Sequence, residues 1–177
     1  MSNIRNIFFC LTTFFGFFGS VFAYTMDILQ NDIQERVSAI MPFTHKKHFV
    51  IGTLSNPLVE LKGNTNQVCV LADISIGTAG DLRATGNGKV CGIIIYKTEV
   101  GGFFLTDVQV MDLIVNRLPS AYLPIAQEIV KIAAIKGFAN LPLYTFKDDN
   151  LKHRLAKSLF KSIEVKTDKL VLTFELF

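Results

Sequence analysis

By type and spacing, a histidine pair, a glycine-rich loop and a pair of cysteines are the residues of this sequence that could do chemistry. His45 and His48, in "THKKH", are three apart, a spacing that on a helix sets two imidazoles over one metal ion. The segment instead follows Pro42 and leads into an extended stretch, where the two rings would point to opposite faces, and no Cys or carboxylate lies within the next several residues. It reads as a solvated loop. His153 sits in a Lys/Arg-rich stretch without an acid or nucleophile partner and reads as a surface residue. "GNGKVCG", Gly86 to Gly92, has the glycine density of a phosphate-binding loop but the wrong spacing, and it precedes a strand rather than a helix; a hairpin turn is expected. No Ser, His and acid arrangement is visible, and Asp73, Asp107, Asp112 and Glu128 read as outward positions. The sequence thus assigns no catalytic residue, no metal ligand and no cofactor, and the protein is expected not to be an enzyme.

The cysteines need a compartment before they need a geometry. "MSNIRNIFFCLTTFFGFFGSVFAY" places Arg5 ahead of an apolar run that ends in Val21-Phe22-Ala23, the small-x-small pattern of a signal-peptidase site. Residues 1–23 are therefore expected to be a cleaved signal peptide and 24–177 a single domain, periplasmic or secreted. Cys10 lies between Phe9 and Leu11, inside the run rather than at its end, so lipidation there is not expected. Cys69 and Cys91 remain, where a disulfide is permitted. They share alternation parity, but strand pairing centred on a turn near Arg83 would set them about six residues out of register, roughly 20 Å along the ladder. Two free thiols are the expectation.

Removing the leader takes the net charge from +3 to +2, because Arg5 is its only charged side chain. That balance offers nothing to nucleic acid. The basic run from Lys147 to Lys169 reads as a solvated helix face that could favour anionic headgroups, leaving a peripheral contact with the envelope membrane open.

The elements follow from periodicity. Asp27 and Gln30 read as a capping box, followed by Leu29, Ile33, Val37, Ile40 and Met41 at helical spacing until Pro42. The period then changes to two, over residues 48–62, 67–77, 89–100 and 103–115, with Gly/Asn/Asp-rich breaks between. Four strands joined by short turns predict an antiparallel meander. Val68, Val70, Ala72, Ile74 and Ile76 share one face of the second strand; Phe104, Val108 and Val110 share one of the fourth. A helix over residues 120–137, a short extended piece, a helix over 151–161 and a closing hairpin around Thr167-Asp168-Lys169 complete the chain.

In "SAYLPIAQEIVKIAAIKG", Ser120 to Gly137, polar side chains occupy one narrow stripe, while apolar residues from Tyr122 to Ala134 cover the rest. A sheet that curls around such a helix would cover it best. Alternation then names the groove between sheet and helices: Ile33, Val37, Val70, Ile74, Ile94, Phe104, Val108, Leu123 and Ile129.

The run "AKSLFKSIEVKTDKLVLTFEL", the preceding "YLPIAQEIVK" and the opening "YTMDILQNDIQERVSAIMPF" resemble the YceB-like family of small Gram-negative envelope proteins, usually taken to be lipoproteins. The resemblance spans the mature chain and departs from the family at the lipobox. It implies an α+β domain in which a highly curved antiparallel sheet rolls around a long helix with two shorter helices, similar to the tubular lipid-binding superfamily, whose members hold lipids in an apolar groove. The expected function is binding of a lipid or other amphiphile in the periplasm, without covalent chemistry. The alternative is an envelope interaction or assembly module whose core is simply full.

Overall fold

The computed structural model describes residues 22–78, 83–140, 142–146 and 157–176. It is an α+β fold of two antiparallel sheets and the helices packed on them. One sheet has six strands in the order β2-β3-β4-β5-β6-β7: β2 (Phe43–Lys47), β3 (Val50–Lys62), β4 (Gln67–Thr78), β5 (Arg83–Lys97), β6 (Gly102–Asn116) and β7 (Tyr144–Thr145). The other has three, in the order β1-β9-β8: β1 (Phe22–Leu29), β8 (Phe160–Val165) and β9 (Lys169–Leu176). Helix α1 (Gln30–Ile40) joins the sheets, and a 3-10 turn (Ser120–Tyr122) leads into the long helix α2 (Leu123–Asn140).

The four expected strands are β3 to β6, joined in sequence as a meander. Two strands escaped the periodicity. Residues 22–29 pair along their whole length with β9, so Asp27 is a strand residue whose carboxylate lies 2.7 Å from the Lys169 ammonium, and it caps nothing. The first helical N–H, that of Gln30, is satisfied instead by the carbonyl of Asp168 at 2.9 Å. "THKK" is the edge strand β2 rather than a loop; His45 lies within it, and His48 sits at the tip of the β2–β3 hairpin at φ 54°. Residues 147–156, which hold His153 and most of the expected second short helix, lie outside the described residues; where that helix was expected to end, Phe160 and Lys161 open β8. The signal-peptide expectation falls largely on residues 1–21, which are outside them too.

"GNGKVCG" is interior strand, not turn. Thr85 to Ile93 run antiparallel to β4 with Cys91 directly opposite Cys69. The glycines there are required by close approach: a Cβ on Gly86 would stand 1.8 Å from the Ile114 carbonyl oxygen, and one on Gly92 2.6 Å from that of Thr106. The ladder closes at Gly77 and Arg83, so its centre lies near residue 80 and not near Arg83. That difference of three residues at the turn is the six-residue error in register, and it corrects the expected free thiols: Cys69 and Cys91 form a disulfide with Cα atoms 4.0 Å apart.

Bulges decide which side chains reach the core. Opposite Gly92, β6 carries two residues, Asp107 and Val108, with Asp107 at φ 50°. The bulge exchanges faces, so Phe103 and Leu105 point inward before it and Val108 and Val110 after it. Phe104, expected beside Val108, therefore lies on the opposite face, with the Lys97 ammonium 4.3 Å above its ring. In β3, Asn56 and Pro57 interrupt pairing with β4, and α1 closes the gap: the Gln34 amide donates to the Pro57 carbonyl and accepts from the Val59 N–H, both at 2.7 Å.

Helix α2 lies against β2, β3 and β6. Gly137 admits the Phe43 ring, 2.2 Å from where a Cβ would stand, and Gly52 of β3 admits Ile129. Ala126, Ile129, Val130, Ala133, Ala134 and Phe138 are buried, whereas Leu123 and Ile135 remain 38% and 37% exposed. Among the described residues, Leu123 and Ile135 leave part of the apolar surface of the helix open.

Candidate functional site: the cleft between α2 and β6

Seven of the nine side chains assigned to a groove lie in the close-packed core: Ile33, Val37, Val70, Ile74, Ile94, Val108 and Ile129 are between 0% and 8% exposed and belong to one continuous apolar cluster. The structure brings these seven together as packing. Phe104 is separated from them by the sheet, and Leu123 stands at the surface.

Open space lies at the seam these residues flank. A cleft of about 320 Å³ runs between β6, which contributes Val110, Met111 and Leu113, and α2, which contributes Gln127, Glu128 and Lys131. Its shape comes from a second irregularity in β6. Val110 pairs with Val90 and Asp112 with Lys89, which leaves Met111 outside the ladder and 54% exposed. Val110 and Leu113 pack against the edge of the core and form the apolar floor. The opposite wall is polar, since α2 turns its Gln127, Glu128 and Lys131 side outward. Glu128 is held by the ammonium of Lys47 from β2, which ties the wall to the hairpin. An apolar floor beneath an amide, a carboxylate and an ammonium suits a molecule with a hydrocarbon body and a polar head. Periodicity missed this site because it depends on Met111 being unpaired, and nothing in "DVQVMDLIV" marks where the ladder slips.

Two other clefts are lined mostly by polar and charged residues. One of about 540 Å³ lies between Gly63 and Asn64 of the β3–β4 turn and the β8–β9 hairpin. Another, of about 410 Å³, opens on the face of the large sheet away from the core, where Asp73 accepts from the side-chain amides of Asn56 at 2.8 Å and Asn87 at 3.1 Å. The ionisable groups whose pKa values move have structural causes. Hydrogen bonds from Lys89 and then Lys62 hold the Glu60 carboxyl below its usual range; burial raises the Tyr96 and Tyr144 phenols. Among the described residues no group of three or more His, Cys, Asp or Glu is placed to hold a metal ion.

Residues 27–169 match the family described as protein of unknown function DUF1439. The chain belongs to this family. No curated protein matches the sequence significantly. The matched span runs from Asp27 in β1 to Lys169 in β9, the ion pair that joins these two strands of the smaller sheet, and takes in α1, α2 and the cleft.

Proposed function

We propose that this DUF1439 protein is an exported, non-catalytic binding protein for a lipid or similar amphiphile, which it holds in the cleft between α2 and β6. The observation that carries the reading is the cleft itself: about 320 Å³, with Val110, Met111 and Leu113 below and Gln127, Glu128 and Lys131 beside. That volume is at the lower end of small-molecule sites and fits a single acyl chain rather than a whole phospholipid. In the same reading the large sheet curls about α2. Contacts of the helix with β2 and β3 on one flank and β6 on the other support this, as do glycines and bulges where β5 and β6 bend. Export is supported by the leader-like N-terminal sequence and by the Cys69–Cys91 disulfide, a bond that persists in oxidising compartments.

The close-packed interior favours a second reading, an envelope interaction module that carries no ligand. Titration with a dansyl-labelled fatty acid separates the two. Leu113→Arg, which fills the cleft from a half-buried position, is expected to weaken probe binding at least about tenfold by replacing apolar floor with charge. Equal affinity in wild type and variant, or no binding by the wild type, would remove the cleft as the site and leave the module.

A further inference from the structure

Strand register gathers one end of the large sheet from segments far apart in sequence. Lys47 pairs with Val50, Val50 with Thr78, Gly77 with Arg83 and Thr85 with Asn116, so the β2–β3 hairpin tip, the start of β5 and the end of β6 lie side by side. Phe49, at the hairpin tip, is 51% exposed and meets Tyr122 edge to face with ring centroids 6.4 Å apart. Leu123, also exposed, follows in the first turn of α2. The exposed Phe49 ring, edge to face with the half-buried Tyr122 and beside an exposed leucine, forms an apolar tip among the described residues.

Among the described residues the charge around that tip is basic, apart from Glu128. Lys46, Arg83 and Arg117 are exposed at this end, and residues 46–51, 76–78, 83–85 and 116–123 contain no acid. Lys47 is taken up by Glu128. Aromatic rings with flanking cations match the interface of an anionic bilayer: rings settle at headgroup depth while Lys and Arg stay with the phosphates.

We infer that this end of the molecule, with Phe49, Tyr122 and Leu123 as apolar anchors and Lys46, Arg83 and Arg117 around them, docks on an anionic membrane surface. The inference stands apart from the cleft, but the two are adjacent. Gln127 is four residues along α2 from Leu123, about 6 Å at 1.5 Å per residue, so a docked molecule would hold the mouth of the cleft against the bilayer.

The test is sedimentation with vesicles of phosphatidylethanolamine and phosphatidylglycerol, against phosphatidylcholine alone. It uses protein recovered from the envelope of expressing cells with its N-terminus read by sequencing, wild type and variants alike. Wild type is expected to sediment with the anionic vesicles and to be released by raised salt. Phe49→Ser should lower the bound fraction severalfold, and Lys46→Gln and Arg117→Asn should each weaken binding roughly fivefold. Arg117→Asn keeps a residue that tolerates the φ of 59° found there. Ile93→Ser, an exposed apolar residue paired with Gln67 at the other end of the sheet, is the control and should bind as wild type does. Phe49→Ser binding like wild type, equal binding to neutral vesicles, or loss of a dimer in Phe49→Ser would each overturn the inference, the last because the tip would then be a contact between copies. Leu113→Arg should still sediment, which keeps failure of the cleft distinct from failure of docking.

Discussion

The Cys69–Cys91 bond links neighbouring strands on the face of the sheet away from the core cluster, at 1% and 4% exposure, and closes a loop through the β4–β5 connection. For a sequence separation of 22, the loss of denatured-state freedom is worth about 3 kcal/mol. Oxidised protein is therefore expected to lose that much on Cys69→Ser with Cys91→Ser, read as a lowered urea midpoint, while alkylation in denaturant should label neither cysteine of the wild type until a reductant is added. Immediate labelling of both would show the bond absent. At this scale parity was legible in the sequence and register was not: both cysteines fall at odd positions of alternating strands, but Gly86 and Gly88 look like turn residues. They are strand residues because the neighbouring strand and the Ile74 side chain approach too closely for a Cβ, a tertiary reason that no local pattern encodes.

Among the elements, α2 was the most legible, because eighteen residues with few breakers and an apolar surplus define a helix whatever surrounds it. Its coverage was overestimated: Leu123 and Ile135 are more than a third exposed where only a narrow polar stripe was expected to face solvent. β2 was hidden by its composition, since Thr-His-Lys-Lys is suited to an edge strand, where charge discourages further pairing. Phe104 was misplaced by the bulge at Asp107, which reverses alternation halfway along β6. What the helix does contribute is tested by two residues nearly adjacent in sequence. Ile129 is fully buried against Gly52, and Lys131 is exposed. Ile129→Asp should cost several kcal/mol by burying an unpaired carboxylate, whereas Lys131→Asp, set near Glu128 on the same exposed side, should cost under about 1 kcal/mol. Urea midpoints that coincide for the two variants would show that the Ile129 face is not the packed one.

At the scale of the whole molecule, two sheets with separate hydrogen-bond networks have to behave as one domain. β1 pairs with β9 over eight residues, and neither strand pairs with the larger sheet. Side chains make the connection. The Phe160 ring of β8 lies 4.5 Å from Tyr96 of β5 and 5.4 Å from Phe103 of β6, and Phe174 of β9 lies 6.1 Å from Phe146, which follows β7. Phe103 is fully buried at the centre of this group, touching Tyr96, Tyr144, Phe146 and Phe160. Such pairs add about 0.5–1.5 kcal/mol each beyond the area they bury, so the cluster, with the Val165 N–H of β8 donating to the Asn66 side chain beside β4 at 2.8 Å, can hold the sheets together without a shared strand ladder. Phe103→Ala is expected to cost about 3–5 kcal/mol. Because the core is continuous through both sheets, that loss should be felt equally on either side of the cluster. Native-state hydrogen exchange at Val70 in β4 and Leu172 in β9 reads the two sheets separately, and the opening free energies of both amides should fall together in Phe103→Ala. A fall at Leu172 with Val70 unchanged would mean that the small sheet opens alone, and that α1, which packs between β1 and β3, is a hinge between two units rather than part of one core.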